Sequence, residues 1–265
     1  MRLTTDRSAL ALVVGGLLLA GCSVSASPSP QGPTPTPITS PAPTNPAPTP
    51  SPSPVPDASP PPVGESGVTS AAQAAALVFA SEPRFGRMMG LQAGLIGQSA
   101  WYEAFESTDG FTVAVTLGSG DCFAGCIDQH TWTYNVDLDG NITLIGDEGD
   151  SVEAEIPQGT DDAMTVGVLL TSGPICPVER NPPDPNCEPR PVVNAEVILR
   201  DPSGAEVARA ISNEAGIVDF VVPGGAYYVE APEVEGLFGT PTPQAFSGVG
   251  GDHVGLMLSY DTGIR

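Results

Sequence analysis

This chain of 265 residues has 31 Asp and Glu, nine Arg and no Lys, so its formal charge is −22 and its pI is near 4.1. Such an acidic surface repels nucleic-acid phosphates and anionic lipid headgroups, which argues against both as partners. Because charged residues make up only 15% of the chain, we interpret the charge as a source of solubility in an exported protein.

The first element is a targeting segment over residues 1–21. Arg2 and Arg7 precede a short apolar run, and Leu19-Ala20-Gly21 leads directly to Cys22. The run is much shorter than the roughly 20 residues that an uncleaved membrane helix needs. The pattern resembles the lipobox of bacterial lipoproteins. That resemblance implies cleavage before Cys22, lipid on Cys22, and an extracytoplasmic protein anchored to the cell membrane.

Residues 22–66 form a segment of different composition. Residues 23–66 hold 16 of the 30 prolines, mixed with Ser, Thr and Ala. They show no apolar periodicity that could build a core, so we predict a disordered stalk without a binding role.

Residues 67–156 predict an α+β domain. Thr69 or Ser70 can cap an Ala-rich helix that runs to about Ser81, before Pro83. Four strand patterns follow, and Asp139-Gly140 between the last two is a strong hairpin signal. The patterns are centred on Trp101–Phe105, 111–117, 132–136 and 142–144. One helix on a four-stranded antiparallel meander is the economical arrangement.

Residues 157–163 carry no pattern and form a short linker, after which residues 164–265 predict an all-β domain. Short Val- and Ile-rich runs are separated by turns such as 201–204 and 213–216. Six or seven short strands with frequent turns predict a β-sandwich. Its candidate core residues are Val197, Leu199, Val218, Phe220, Tyr227 and Leu256.

Two stretches resemble known families. Residues 195–199, the turn 201–204, Gly216, Phe220 and the Pro223-Gly-Gly-Ala-Tyr227 approach resemble carboxypeptidase regulatory-like domains, which implies a transthyretin-like sandwich. The helix-plus-meander pattern is similar to PepSY-like and cystatin-like modules. Its Gly120-Asp-Cys122, Gly125-Cys126 and His130 also resemble uncharacterised surface lipoproteins of high-GC bacteria. None of these resemblances implies catalytic residues.

The number of cysteines fits an exported protein with disulfides. If Cys22 is lipidated, Cys122, Cys126, Cys176 and Cys187 remain, and an even number outside the cytosol favours disulfides. Three pairings are open, and sequence proximity favours Cys122–Cys126 and Cys176–Cys187. The alternative for the first pair is a zinc site with His130, whose sulfur and imidazole ligands suit that metal. We favour the disulfide, with His130 as a strand-entry residue.

Other candidate binding residues also have simpler interpretations. Asp137, Asp139 and Asn141 have the spacing that opens a calcium loop, but Ile142 stands where that loop needs glycine. A hairpin turn explains the same residues. Trp101 and Trp132 alternate within strands, which favours core positions over a sugar-stacking platform. The acidic run 147–155 is typical of a solvated strand end.

Signals for catalysis are sparse. The chain has two histidines, His130 and His253, and lacks the nucleophile-elbow, zincin and phosphate-loop motifs. We therefore predict a monomeric, non-enzymatic surface protein without cofactor or metal, with a display, adhesion or ligand-binding role toward envelope polysaccharide or protein. The alternatives are a carbohydrate-binding module and an envelope hydrolase or protease regulator.

Overall fold

A computed structural model describes residues 67–92, 95–152, 155–178, 182 and 184–265. The predicted signal segment, Cys22 and the proline-rich segment lie outside the described residues. Within these ranges, no helix has the length and apolar character that crossing a membrane requires.

The described residues form one α-helix and twelve strands. The helix α1 spans Ala71–Ser81, and the first four strands are β1 (Ala100–Ser107), β2 (Gly110–Ser119), β3 (Asp128–Asp137) and β4 (Ile142–Gly149). The later strands are β5 (Ala163–Gly173), β6 (Arg190–Pro191), β7 (Glu196–Arg200), β8 (Glu206–Ile211), β9 (Ile217–Pro223), β10 (Gly225–Glu230), β11 (Gln244–Gly248) and β12 (His253–Asp261). The predicted fold class, a helix with a four-stranded meander followed by a β-sandwich, is confirmed.

Helix α1 begins where the sequence predicts. The Ser70 side chain accepts a hydrogen bond from the Gln73 amide at 3.1 Å, and the Gln73 side chain accepts one from the Thr69 amide at 2.9 Å. The first bond satisfies a backbone donor that the helix start leaves open, and the second holds the residue before the cap. The helix ends at Ser81 because Glu82 is extended ahead of Pro83.

The meander sheet has the antiparallel order β1-β2-β3-β4. One face packs on α1 and buries alternate side chains, namely Tyr102, Phe111, Val113, Val115, Trp132, Tyr134 and Val136. The turn between β3 and β4 closes at Gly140, which has φ +86. That conformation favours glycine and explains the Asp139-Gly140 signal.

The sandwich consists of two sheets. In the outer sandwich sheet, β5 pairs in parallel with β12 and antiparallel with β9 and β6. The inner sandwich sheet has the order β11-β10-β7-β8. All six predicted core residues are buried between these sheets: Val197, Leu199, Val218, Phe220, Tyr227 and Leu256.

Helix α1 touches both parts of the fold. Its buried side chains share one apolar cluster with the meander sheet and with Tyr228 and Ala245 of the inner sandwich sheet. Ala74, Ala75 and Ala76 are all fully buried. Small side chains on every side of a helix let two sheets approach it closely, and a helix that is apolar all round is buried all round. The layer order is therefore outer sandwich sheet, inner sandwich sheet, helix and meander sheet.

Strand β11 was not predicted from the sequence, and neither was the short β6. Phe246 is the only large apolar residue in β11, so the alternating pattern is absent. The strand forms because its backbone pairs with β10 on one side and with Met88 on the other. Its Ala245 amide also donates to the buried Tyr102 hydroxyl at 2.8 Å. Both partners beyond β10 are distant in sequence, so a local pattern could not reveal this strand.

Candidate functional site

The face of the meander sheet that points away from α1 is mainly polar and partly exposed, although Thr116 within it is buried; we call it the open face. Strand pairing arranges it in three rows across the sheet. These rows are Trp101–Thr116–Thr131–Glu148, Glu103–Ala114–Thr133–Gly146 and Phe105–Thr112–Asn135–Thr143. The helix packs on the opposite face, so core packing does not dictate the residue types in these rows.

Edge strand β1 supplies the aromatic residues of the open face. Tyr102 points into the core, which places Trp101, Glu103 and Phe105 together on the other side, since side chains alternate along a strand. Phe105 is 55% exposed and Trp101 is half-buried. The predicted core position is therefore wrong for Trp101, which is absent from both buried clusters.

Hydroxyl groups lie beside both aromatic residues. Thr116 is the cross-strand partner of Trp101, and Thr112 is that of Phe105. The Thr116 and Thr131 hydroxyls are 2.8 Å apart and bond to each other. The middle row has small residues at Ala114 and Gly146. The middle row, with Glu103 at one end, thus lies between the row of Trp101 and the row of Phe105.

Trp132 lies on the buried face, as predicted. Its side chain is 6% exposed, and the Arg84 guanidinium lies 4.1 Å from its ring centroid. Arg84 also donates to the Tyr134 hydroxyl at 3.3 Å. A ring covered in this way cannot stack on a ligand, so Trp132 belongs to the core.

His130 lies at the start of β3, and both of its ring nitrogens face oxygen atoms. Nε2 is 2.6 Å from Asp147 Oδ1, and Nδ1 is 2.6 Å from the Asp150 carbonyl oxygen. The imidazole also stacks on Trp132 at a centroid distance of 4.2 Å. The Asp150 carbonyl, with further help from Asp147, raises the pKa of His130 above its usual value, against opposing effects of desolvation and Arg84. Two acceptors are both satisfied when the ring is protonated, so His130 holds β3 to β4.

The hydrolase alternative required a cleft that converges on His130 or His253, with a carboxylate within hydrogen-bond reach. His253 lies at the exposed start of β12, and His130 has such a carboxylate in Asp147. Both ring nitrogens are already engaged, however, which leaves neither as a free base. A separate cleft of about 1010 Å³ extends from the start of α1 past β1 to β11 and β12. Tyr102 and Glu103 are the ionisable residues among its described lining. Burial raises the pKa of Tyr102 to about 12, so its hydroxyl stays protonated at neutral pH.

The cysteines outside the signal region pair within each part of the fold. Cys122 bonds to Cys126 in the β2–β3 connection, and Cys176 bonds to Cys187 between β5 and β6. The zinc alternative would need both thiolates of the first pair, and the disulfide consumes them. Within the described ranges, no group of three or more His, Cys, Asp or Glu side chains could hold a metal ion.

The residues of the calcium-like pattern hydrogen-bond to one another within the turn between β3 and β4. Asp137 Oδ1 accepts hydrogen bonds from the Asp139 and Asn141 amides at 3.0 and 2.9 Å. Asp137 Oδ2 accepts one from the Asn141 side chain at 2.8 Å. These bonds, led by the Asn141 side chain, lower the pKa of Asp137. The acidic run 147–155 begins within the end of β4, and it is exposed at Asp147, Glu148 and Asp150, as expected for a solvated strand end.

Sequence reasoning missed Glu103 and Phe105 as surface residues. In β1 the two alternating sets are Trp101-Glu103-Phe105 and Tyr102-Ala104-Glu106, and each contains an aromatic residue and a glutamate. The pattern within β1 therefore cannot identify the buried set. A usable signal lies in the neighbouring strands. Their threonines alternate with the apolar set, and pairing β1 onto β2 would have placed Trp101 among them.

No family model and no curated protein matches the chain. Among solved structures, it is similar to a minor pilin of the Gram-positive pathogen Streptococcus agalactiae, with 8% identity and a TM-score of 0.31. That match covers 51% of this chain and 59% of the pilin. It is also similar to the Bacillus anthracis TIE protein, with 16% identity and a TM-score of 0.28 over 66% of this chain and 33% of that one. Similarities this weak carry no argument about function. The resemblances to carboxypeptidase regulatory-like, PepSY-like and cystatin-like domains remain predictions.

Proposed function

We propose that this is a lipid-anchored, extracytoplasmic, non-catalytic protein that binds a glycan chain on the open face of its meander sheet. The observation on which this rests is the placement of Trp101 and Phe105 on a face that the core does not use. Two disulfides support the extracytoplasmic location, since cytosolic thiols are kept reduced.

The chemistry of the open face suits a sugar polymer. Aromatic rings contact the apolar faces of sugar rings, while hydroxyl, amide and carboxylate groups bond to sugar hydroxyls. Trp101 and Phe105 are four residues apart on one strand, or about 13 Å at 3.3 Å per residue. Such a spacing exceeds one sugar ring and fits an extended chain. Thr112 and Asn135 supply polar groups beside the rings.

A non-catalytic role is supported by the bonding of His130 and of the cysteines. His130 is held at both nitrogens, and the Cys thiols of the described residues are in disulfides. A binding surface needs no such groups, because affinity comes from stacking and hydrogen bonds.

Fluorescence titration tests the binding site directly, because the chain has only two tryptophans. A protein of residues 23–265 should be titrated with cellohexaose and with N-acetylated chitohexaose, because Trp132 is buried and Trp101 is the ring that a ligand can reach. We expect the emission to change on binding, and Trp101→Ala to weaken binding about tenfold, as loss of a central aromatic contact does.

Phe105→Ala should weaken binding less than Trp101→Ala, and Phe123→Ala, an exposed aromatic outside the open face, is the matched control. Binding of either hexamer that is unchanged in Trp101→Ala would contradict the assignment of the site, and absence of binding by both hexamers would contradict glycan capture through this face.

The anchor is tested by fractionation. Cys22→Ala in the full chain should move the protein from the membrane fraction to the soluble fraction, because the lipid is the proposed attachment. A Cys22→Ala protein that stays in the membrane fraction with unchanged mobility would show that the lipoprotein interpretation is wrong.

A further inference from the structure

We propose that the open face selects glycans whose sugars carry free, protonated amino groups over neutral or acidic ones. This rests on the proposed function, since it names the class of glycan for the same face. The observations that carry it are the placement of Glu103 between the two aromatic residues and the distribution of charge around them.

The meander region has no cationic side chain other than His130. Residues 88–162 contain 14 Asp and Glu and neither Lys nor Arg. The described arginines that form ion pairs do so elsewhere: Arg84 with Glu82, Arg87 with Asp252, Arg200 with Glu230, Arg209 with Glu196 and Glu206, and Arg265 with Asp261. Among the ion pairs of the described residues, none joins an arginine to Glu103 or Glu148 of the open face.

Glu103 is the carboxylate best placed to meet a ligand. It is exposed and lies on the same side of β1 as Trp101 and Phe105, two residues from each. Among the described residues it has no ion-pair or hydrogen-bond partner within reach of its side chain. Its cross-strand neighbour is Ala114, a small residue that leaves room beside the carboxylate. A sugar resting against either ring would place a ring substituent near Glu103.

A second carboxylate lies at the far end of the Trp101 row. Glu148 is three strands from Trp101, about 14 Å at 4.8 Å per strand. An amino-sugar chain stacked along β1 on both rings would pass Glu103 between them, and Glu148 extends the negative charge across the sheet from Trp101. The same two carboxylates would repel a chain that carries uronic acids or phosphates, so such a chain would bind more weakly.

The test uses two hexasaccharides that differ in N-acetylation, which replaces each charged amino group with a neutral acetamide. Glucosamine hexamer and its N-acetylated counterpart have the same length, linkage and rings, so their stacking on Trp101 is matched. Both should be titrated against the 23–265 protein at low and at physiological salt. We expect the glucosamine hexamer to bind more tightly at low salt, by up to about fivefold for each exposed carboxylate that it meets. The advantage should shrink as salt screens the charges.

Glu103→Gln should remove most of the advantage of the glucosamine hexamer and weaken the N-acetylated hexamer much less, because glutamine can still hydrogen-bond to sugar hydroxyls. Glu214→Gln is the matched control, since it changes the net charge equally at an exposed turn of the sandwich. Trp101→Ala should weaken both hexamers.

The other outcomes separate this inference from the proposed function. Equal affinities for the two hexamers, both lost in Trp101→Ala, would overturn the selectivity and leave glycan binding in place. A glucosamine advantage that is the same in Glu103→Gln and Glu214→Gln would show general attraction to an acidic protein and would also overturn it. If neither hexamer binds, the proposed function falls together with the inference.

Discussion

The sandwich and the meander differ in how their charges are paired and in how their sheets are covered. In the sandwich, arginines pair with nearby carboxylates, as in Arg200–Glu230 at 2.7 Å and Arg209–Glu196 at 2.6 Å. The segment of residues 88–162, which includes the meander, contains carboxylates but neither arginine nor lysine. The two sheets of the sandwich cover each other's inner faces, whereas the meander sheet is covered on one face by α1 and open on the other. The difference indicates that the sandwich chiefly completes a core, while the meander offers a surface.

The two parts are nevertheless joined by shared packing. Phe79 on α1 meets Tyr102 of the meander edge-on at 5.1 Å, and α1 also contacts β10 and β11 of the sandwich. Ser247 of β11 exchanges backbone hydrogen bonds with Met88, and its hydroxyl donates to the Phe85 carbonyl at 2.5 Å. These contacts predict that the meander and the sandwich unfold together, although their surfaces differ.

The largest expected effect comes from the covered face of the meander. Phe79→Ala removes a buried ring and leaves a cavity between α1 and the sheet, which typically costs about 3–5 kcal/mol in the free energy of unfolding. Phe105→Ala, on the open face, should change stability by less than about 0.5 kcal/mol. Denaturant unfolding followed by tryptophan fluorescence and far-UV circular dichroism measures both. Equal losses in the two variants would contradict the assignment of covered and open faces.

A disulfide variant in the sandwich tests the coupling between the parts. The double variant Cys176→Ser, Cys187→Ser removes a disulfide that joins residues 11 positions apart. It should lower the free energy of unfolding by about 2–3 kcal/mol, because the unfolded chain gains conformational entropy. For a unit of about 200 residues, the melting temperature should fall by several degrees. Both tryptophans lie in the meander, so their fluorescence reports on the part that was not changed. If the tryptophan transition keeps its midpoint while the sandwich melts earlier, the parts are independent.

The smallest expected effect concerns the hydrogen bonds by which His130 of β3 holds Asp147 and Asp150. Because the Asp150 carbonyl and Asp147 raise the pKa of His130 in the folded protein, the stabilisation is fully present below the unfolded pKa of about 6.5. The stabilisation is lost as the pH rises through the pKa of His130 in the folded protein, because the imidazole then loses its proton in the folded state as well. The difference in melting temperature between the native protein and His130→Gln should therefore shrink from pH 5 to pH 9. A difference that stays constant over this range would show that the charge of His130 contributes nothing.

Local signals predicted much of this fold because they depend on neighbours in sequence. Ser70 and Pro83 bound α1 through backbone hydrogen bonding and ring sterics. The alternation of Phe111, Val113 and Val115 determines which face of β2 is buried. The two disulfide pairings that sequence proximity favours are those in the structure.

The candidate site was harder to predict, because it depends on cross-strand register. Trp101 was assigned to the core from alternation alone, and β1 carries an aromatic residue in both of its alternating sets. Only the pairing of Tyr102 with Val115 and the bond from the Ala245 amide to its hydroxyl fix which set points inward. Strand β11 escaped prediction for the same reason, since its partners are distant in sequence.

The sequence by itself determined the helix and most of the strands, the acidic character, the cysteine pairs that proximity favours and the core of the sandwich. These follow from composition, periodicity and turn chemistry, which act over a few residues. Tertiary structure alone decided that α1 serves two sheets, that Arg84 covers Trp132 at 4.1 Å, and that Trp101, Glu103 and Phe105 share an uncovered face. These facts arise from packing between segments that are far apart in the chain, and no local preference encodes which neighbour a side chain will meet.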